Sequence, residues 1–296
     1  MNEITVIIVT FQPKIERFLE NISALSHQVS RIIVVDNGST NWLEIEQLVL
    51  GFSQATFFHF SNNRGIAAAL NEGIRQTIAN TSWFLTMDQD SIVPSDLIEQ
   101  YFKEPIPSNV GILCPTSFDI RMSKQKEVTS RVEYVEECIQ SGALFRKEML
   151  QEIGYFDEWL FIDYVDYEYC YRARANSWRI LKFTHVFLNQ EFGDLYLAKY
   201  HKMWEYLYQK THLYIFKKLA LRPKVNPQRM YYRSRNRLVC MKYFRRKKQI
   251  FLIMTTPLFY LKTLFRAQKK IETHKMVMRG IRDGIKKVRS DRNAQL

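Results

Sequence analysis

The stretch Trp83-Phe84-Leu85-Thr86-Met87-Asp88-Gln89-Asp90 decides the fold prediction, because it joins a strand to a pair of carboxylates. Its first five residues form an apolar run that is typical of a buried strand. Asp88 and Asp90 follow directly, and two acids at that point make a poor core and a good cation site. Mg²⁺ and Mn²⁺ prefer oxygen ligands and are often held by one or two carboxylates plus substrate phosphates. Solvated loops with two acids are also common, so the neighbouring segments must support this interpretation.

Strand-like and helix-like segments alternate on the N-terminal side of this stretch. The strand-like runs cover residues 4–9, 32–35 and 56–60, and the helical patterns cover residues 14–26 and 65–78. This alternation predicts an α/β domain with a mostly parallel sheet. Asp36 and Asn62 follow the second and third runs, as Asp88 follows the fourth. Ligands of open α/β sheets bind outside the carboxyl ends of the strands, so these polar residues are expected to converge on one ligand.

The 296-residue chain divides sharply by charge. Residues 1–194 carry 16 Lys and Arg against 26 Asp and Glu, a net charge of −10. Residues 195–296 carry 27 against four, a net charge of +23, and their periodicity is helical. We therefore predict a catalytic domain over 1–194 and a basic helical region over 195–296, with three prolines (Pro223, Pro227 and Pro257) separating about four helices. The basic region is expected to meet an anionic partner.

The run Ile250–Phe265 is strongly apolar but short for a membrane-spanning helix, and it contains Pro257 and Lys262. Arg245-Arg246-Lys247-Lys248 precedes it and Lys269-Lys270 follows it, which favours an interfacial helix on an anionic membrane surface. The alternative is that this run is the core of a helical bundle or a homodimer interface. No secretory leader is expected from the N-terminal residues, and the four scattered cysteines favour a reducing compartment. The expected location is cytoplasmic, peripheral on the inner face of the cell membrane.

Four motifs together resemble family 2 glycosyltransferases of the GT-A (Rossmann-like) fold. They are Val9-Thr10-Phe11, Val35-Asp36-Asn37-Gly38-Ser39, the segment from Asn62 to Gly73, and Met87-Asp88-Gln89-Asp90-Ser91. Two further segments, Phe161-Ile162-Asp163-Tyr164-Val165-Asp166 and Tyr231–Arg237, look like the bacterial rhamnosyltransferase branch. The resemblance covers roughly residues 1–240. It implies an inverting transferase that moves L-rhamnose from dTDP-L-rhamnose to a polyprenyl-diphosphate-linked saccharide in surface polysaccharide synthesis.

The resemblance implies roles for individual residues. Nucleotide-sugar binding is expected for Thr10, Phe11, Asp36, Asn62, Arg64, Gly65, Asn71, Asp88, Gln89, Ser141 and Gly142. Asp90 is expected to bind Mg²⁺ or Mn²⁺ directly, with Asp88 on the ribose or on the metal. Asp36 suits the N3–H of thymine or uracil, although Asp-Asn-Gly-Ser is also good turn chemistry. Arg64 suits the base or the diphosphate, since a helix N-terminus follows it.

An inverting transferase also needs a general base for the acceptor hydroxyl. Relatives often carry Glu-Asp where this chain has Asp163-Tyr164, so Asp163 is our first candidate and Asp166 our second. Relatives also often present a His near position 190, where this chain has Gln190. Whether His185 or Glu191 replaces it as a third metal ligand stays open.

Other functions explain less of the sequence. A nucleic-acid-binding protein would use the basic region, but acidic loops at the sheet edge repel phosphate backbones, so no nucleic-acid partner is expected. Neither Gly-x-Gly-x-x-Gly nor Gly-x-x-x-x-Gly-Lys occurs, which disfavours dinucleotide oxidoreductases and P-loop enzymes. The main alternative is a family 2 enzyme that uses UDP-glucose, UDP-galactose or UDP-galactofuranose.

Overall fold

The computed structural model describes residues 3–118, 132–190, 193, 195–244 and 246–293. The chain forms two compact units, Met1–Gln190 and Glu191–Leu296, which we call the sheet unit and the basic unit. The sequence analysis placed this boundary after residue 194.

The sheet unit alternates strands and helices from its first residues. Its strands are β1 (Ile4–Thr10), β2 (Arg31–Asp36), β3 (Ala55–His59), β4 (Trp83–Asp88), β5 (Val110–Phe118), β6 (Val132–Val135), β7 (Ala143–Arg146) and β8 (Arg179–Asn189). Its helices are α1 (Ile15–Ser26), α2 (Trp42–Leu50), α3 (Ile66–Thr77), α4 (Leu97–Phe102), α5 (Lys147–Ile153) and α6 (Val165–Ala175).

The eight strands form one mixed sheet in the order β3-β2-β1-β4-β7-β5-β8-β6. The four N-terminal strands run parallel, whereas β7 is antiparallel to both of its neighbours and β6 is antiparallel to β8. Every residue of β1 is buried, as expected for a strand that is covered on both faces. Its neighbours β2 and β4 contribute Val34 and Leu85 to the same core.

The parallel register aligns the carboxyl ends of three strands. Thr10 pairs with Asp36 across β1 and β2, and Val9 pairs with Asp88 across β1 and β4. An isolated bridge between Ile92 and Asn189 joins the loop after β4 to the end of β8. These pairings collect residues that lie far apart in the chain at one edge of the sheet.

The basic unit is mainly helical. It contains α7 (His201–Thr211), α8 (Tyr214–Ala220), α9 (Pro227–Cys240), α10 (Arg246–Arg266) and α11 (Lys270–Asn293), and two short antiparallel strands, β9 (Leu195–Leu197) and β10 (Leu221–Pro223). Helices α9 and α11 pack closely because α11 presents Gly280 and Gly284 to the backbone of α9. None of the described helices is long and apolar enough to cross a membrane.

One of the expected helix breaks is wrong. Pro257 lies inside α10 instead of ending it. The described part of the basic unit nevertheless holds five helices, against about four expected, because other breaks divide it. A proline frees the carbonyl one turn before it, which here belongs to Ile253. Pro257 and Ile253 both lie on the exposed face of the helix.

Candidate active site

Asp36 is the most enclosed acid at the sheet edge. Its side chain is fully buried, and Oδ1 accepts hydrogen bonds from the hydroxyls of Thr10 (2.9 Å) and Ser39. Oδ2 accepts from the Ser39 backbone N–H (2.9 Å) and from Nδ1 of His59 (2.9 Å). A carboxylate offers about four acceptor positions, and all four are in use. A pyrimidine N3–H would have to replace one of these donors, so base recognition by Asp36 and Thr10 stays a prediction.

Phe11 and Gln89 connect the loops that follow β1 and β4. The Phe11 N–H donates to Oε1 of Gln89 (2.7 Å), and Nε2 of Gln89 donates back to the Phe11 carbonyl (3.2 Å). The Phe11 ring is 44% exposed beside the loop that carries Asp36. An exposed ring at this point is suited to stack on a nucleobase.

The loop between β3 and α3 is fixed by amide side chains. Asn37 donates to Oδ1 of Asn63 (3.1 Å) and accepts from the Arg64 backbone N–H (2.8 Å). Gly38 makes this possible, since a Cβ there would lie 2.6 Å from the backbone of Asn62. Asn62 and Arg64 remain exposed, with the Arg64 guanidinium 4.6 Å from the centre of the Phe60 ring. Both therefore present donors at the N-terminus of α3, where an anionic diphosphate would bind well.

The start of α3 also holds the loop before α6. Gly65 has a φ of +90°, and a Cβ there would lie 2.7 Å from the Phe161 carbonyl oxygen. That oxygen accepts a hydrogen bond from the Ile66 N–H (2.7 Å). Gly65 therefore serves close backbone packing.

Asn71 is held by protein partners. It is buried, and its amide donates to the Phe156 carbonyl (2.9 Å) and to Glu158 (3.0 Å). Its carbonyl accepts from the Phe156 N–H (3.0 Å). Because both amide donors and the carbonyl are bound to protein, Asn71 supports the 156–158 loop, and its contact with a ligand stays a prediction.

Two glutamines hold the carboxylate of Asp88. Nε2 of Gln140 donates to Oδ1 (2.9 Å), and Nε2 of Gln190 donates to Oδ2 (2.6 Å). Both glutamines are more than nine-tenths buried, and their own Oε1 atoms have no hydrogen-bond partner among the described residues. The pair fixes the direction of the carboxylate and leaves two buried amide oxygens beside it.

Ser141 and Gly142 also support this loop. The buried Ser141 hydroxyl accepts from the Asp88 N–H (3.2 Å) and donates to the Ser91 hydroxyl (2.9 Å). Gly142, with a φ of +77°, donates its N–H to the Thr86 carbonyl (2.8 Å). Ligand contacts by these two residues stay predictions, and the contacts described here position Asp88.

Helix α1 holds the backbone of the Asp88–Ser91 loop from behind. The buried Asn21 side chain donates to the carbonyl of Asp88 (3.0 Å) and to that of Ser91. Nε of Arg17 donates to the carbonyl of Asp90 (3.0 Å). These bonds engage the backbone oxygens of the loop that carries the partly exposed Asp90.

The loop before α6 has an unusual backbone. Phe161, Asp163 and Tyr164 have φ values of +66°, +60° and +70°, although none is glycine. Non-glycine residues in the left-handed region cost free energy and are concentrated at functional sites. This loop carries Asp163 and leads directly into the first turn of α6, which carries Asp166.

Asp166 lies in the first turn of α6 and titrates abnormally. Burial raises its pKa to about 7, hydrogen bonds from the backbone N–H groups of Tyr167 and of Asp166 itself oppose the rise, and the carboxylates of Asp163 and Asp88 add to it. The side chain is partly accessible to solvent while dense protein surrounds it. Asp88, Asp163 and Asp166 therefore lie close enough to interact electrostatically, as a site for metal-assisted or general-base chemistry requires.

The donor set fits a divalent cation that also binds a ligand phosphate. Asp90 and Asp88 supply carboxylate oxygens, which suit Mg²⁺ and Mn²⁺. Within the described ranges, no group of three or more His, Cys, Asp and Glu side chains could hold a metal alone. His185 lies where the pairing of β8 with β5 is irregular, and its ring is 6.1 Å from that of Phe183. Glu191 lies outside the described residues, so the third ligand stays open.

Sequence reasoning missed several supporting residues. Gln140, Asn21 and His59 were not predicted at the site, and Gln190 was noted only as a replacement for histidine. Gln140 and Gln190 reach Asp88 from 52 and 102 residues away in the chain. Their positions follow from strand pairing and from the Ile92–Asn189 bridge, which no local pattern signals.

Known proteins share this fold and parts of this sequence. The dTDP-rhamnosyl transferase RfbF of Shigella flexneri is 29% identical over 189 residues, which cover 58% of this chain and 63% of that protein. The chain thus spans less than two thirds of this relative. The structure of S. aureus TarS 1-349 in complex with UDP-GlcNAc superposes with a TM-score of 0.59 at 16% identity, covering 96% of this chain and 81% of that one.

A third similar protein is the mannosyltransferase PcManGT from Pyrobaculum calidifontis, solved in complex with GDP-Man and Mn²⁺. It superposes with a TM-score of 0.54 at 16% identity, covering 95% of this chain and 86% of that one. The predicted GT-A fold, with a mostly parallel sheet and a helical C-terminal region, is confirmed by these likenesses, and the observed sheet is mixed because β6 and β7 are antiparallel to their neighbours. The model of the glycosyl transferase family 2 domain matches residues 5–154, which is half of the chain. The chain therefore belongs to glycosyl transferase family 2.

Proposed function

We propose that this glycosyltransferase moves L-rhamnose from dTDP-L-rhamnose to a lipid-linked saccharide with inversion at the anomeric carbon. The observation that carries the proposal is the interaction of Asp88, Asp163 and Asp166 beside the strand ends. Acids gathered beside a helix N-terminus suit a reaction in which a nucleoside diphosphate leaves and a hydroxyl attacks. The similarity to the dTDP-rhamnosyl transferase RfbF supports the choice of donor.

The nucleotide would lie over the loops that follow β1, β2 and β3. Phe11 would stack on the thymine, and Asp36 would accept its N3–H after exchanging one present donor. Arg64 and Asn62 would bind the diphosphate at the start of α3, where the helix favours anions. Asp88, whose direction Gln140 and Gln190 fix, would accept from the ribose or hold a divalent ion together with Asp90.

A general base removes the proton of the acceptor hydroxyl as its oxygen attacks the anomeric carbon. The bond from that carbon to the diphosphate oxygen breaks on the opposite face, so the configuration inverts and dTDP leaves. A bound Mg²⁺ or Mn²⁺ supplies Lewis-acid stabilisation of the leaving diphosphate. Asp88 and Asp90 would hold that ion.

We place Asp166 ahead of Asp163 as the base, which reverses the order that the sequence suggested. What supports Asp166 is its pKa of about 7. A base whose pKa lies near the working pH combines a high deprotonated fraction with a strong pull on the proton. Asp163 would then keep the pKa of Asp166 high through its own charge.

A panel of donors tests the substrate. We expect the purified protein to turn over dTDP-L-rhamnose, by hydrolysis or transfer, faster than UDP-glucose, UDP-galactose or UDP-galactofuranose. Faster turnover of any UDP-sugar would overturn the choice of donor and leave the transferase assignment in place. The product anomer, read by NMR coupling constants, tests inversion.

The acceptor is proposed to be a saccharide on a polyprenyl diphosphate, with the enzyme peripheral on the inner face of the cell membrane. Support comes from the net charge of +23 over residues 195–296. Each Lys or Arg near an anionic membrane contributes about 1 kcal/mol to binding. A homodimer formed through the basic unit is the alternative use of that region.

A further inference from the structure

Helix α10 carries an apolar stripe on its outer face. The stripe consists of Ile250, Ile253, Met254, Leu258 and Leu261. These side chains are between 50% and 74% exposed, and Met254 is the most exposed of them. Spacings of three and four residues place all five on one face of the helix over about 16 Å. Exposing a contiguous apolar surface to water costs free energy, and such surfaces usually mark a site that binds a partner.

The opposite face of α10 is fixed to its own unit. Nη2 of Arg237 donates to the Leu252 carbonyl (2.9 Å), and the guanidinium groups of Arg233 and Arg237 lie 5.0 and 5.4 Å from the Phe259 ring centre. At the start of the helix, Gln249 donates to the carbonyls of Met241 and Phe244. These contacts fix the rotation of α10 about its own axis. The stripe on the other face is therefore held towards solvent.

The charges on α10 itself all have one sign. Helix α10 contains no acidic residue, and its five basic residues are Arg246, Lys247, Lys248, Lys262 and Arg266. Arg246 and Lys262 are exposed. Of the predicted basic cluster before the stripe, Arg245 lies outside the described residues. An apolar face on a helix whose charged residues are all cations is complementary to an anionic surface that has an apolar interior.

We propose that the α10 stripe inserts into the headgroup boundary of an anionic lipid bilayer, with the helix lying parallel to the membrane plane. A second copy of the chain fits less well, because it would bring two regions of net charge +23 together. The bilayer supplies the opposite charge and an apolar layer at once. This inference rests on the proposed lipid-linked acceptor and adds the element that holds the enzyme beside that lipid.

Co-sedimentation of the full chain with phosphatidylglycerol vesicles tests the insertion. The double variant Met254→Glu and Leu258→Glu should weaken partitioning by about 50-fold, because it removes two large inserted side chains and adds two anions. The matched control is Leu43→Glu with Leu50→Glu on α2, where the side chains are 58% and 74% exposed. The control should change partitioning less than threefold. At 0.5 M salt the wild-type chain should retain binding that the α10 variant has lost.

Several outcomes would overturn the proposal. They are no binding of the wild-type chain to anionic vesicles, equal effects of the α2 and α10 variants, and a dimer in solution that the α10 variant dissociates while vesicle binding stays unchanged. Circular dichroism and hydrolysis of the donor in solution should match the wild type in both variants, which excludes misfolding. Failure of the donor assignment would appear separately, as absent turnover of dTDP-L-rhamnose with vesicle binding intact.

Discussion

The sheet unit and the basic unit use their apolar residues in opposite ways. In the sheet unit these residues line a continuous core, and β1 is buried from Ile4 to Thr10. In the basic unit α7 buries no residue, and the buried positions of α9 include Arg235 and Asn236. Large apolar side chains such as Met254 lie outside instead. The continuous core of the sheet unit can hold reacting side chains in fixed positions. The exposed apolar side chains of the basic unit instead suggest that this unit binds a partner.

The largest expected effect tests whether catalysis depends on an acid of the sheet unit and not on an acid of the basic unit. Asp90→Ala should reduce turnover by about 10⁴-fold, because the leaving diphosphate loses the carboxylate that binds its cation. The control Glu272→Ala removes an exposed acid from α11 and should leave the rate unchanged. Steady-state assays with and without EDTA measure both, and added Mn²⁺ should restore the EDTA-treated wild type. Full activity in Asp90→Ala would remove the metal assignment.

The second prediction separates the two acids beside α6. Asp166→Asn should lower kcat by about 10²–10⁴-fold with donor binding retained, as expected for the loss of a general base. Asp163→Asn should cost less, since its proposed role is to hold the pKa of Asp166 high. In the wild type, kcat/KM should rise with pH through about 7, the pKa of Asp166, as that carboxyl loses its proton. If Asp163→Asn is inactive and Asp166→Asn is nearly as active as the wild type, Asp163 is the better candidate for the base, as the sequence suggested.

The third prediction concerns backbone packing inside the sheet unit. Gly65→Ala should cost about 2–4 kcal/mol of stability and slow turnover, because φ is +90° and the new Cβ meets Phe161. Gly193→Ala is the matched control: its φ is +71°, but none of the described residues lies within 4 Å of the new Cβ. It should cost about 1 kcal/mol, the strain of the backbone alone. Equal costs in thermal unfolding would show that contact with Phe161 does not matter.

The sequence predicted the first four strands closely because each is a short apolar run between polar turns. It also placed Asp36 and Asp88 at strand ends, where β1 pairs with both of their strands. It did not predict that Asn71 binds the 156–158 loop, since that contact depends on tertiary packing over 85 residues of chain. Nor did it indicate that Pro257 would remain helical, which depends on the exposure of that face. Local sequence patterns are enough to predict which segments are strands. Contacts between distant residues decide which polar side chains bind protein and which can bind a ligand.

The fourth prediction compares one acid from each unit by its effect on stability. The pKa of Asp166 is raised from its ordinary 3.8 to about 7, so the folded state prefers the protonated form. Its contribution to stability is complete below about pH 4 and is lost as the pH rises through 7. Asp166→Asn should therefore stabilise the sheet unit at pH 8 by about 1–3 kcal/mol and have no such effect near pH 3.5. Hydrogen exchange of β1 and β4 amides measures this gain.

Asp291 in α11 should respond with the opposite sign. Its carboxylate bonds to Lys287 (2.7 Å) and Lys242 (3.3 Å), and the Lys287 hydrogen bond is the first cause that lowers its pKa. A lowered pKa means that the folded state prefers the charged form, so this stability is present above about pH 4 and is lost as the pH falls. Asp291→Asn should cost about 0.3–0.5 kcal/mol at pH 8, the size typical of exposed pairs on a helix, and less at high salt. Exchange of α9 and α11 amides measures it. Destabilisation by both variants at pH 8 would mean that Asp166 is held as an anion, which would remove the physical basis for preferring it as the base.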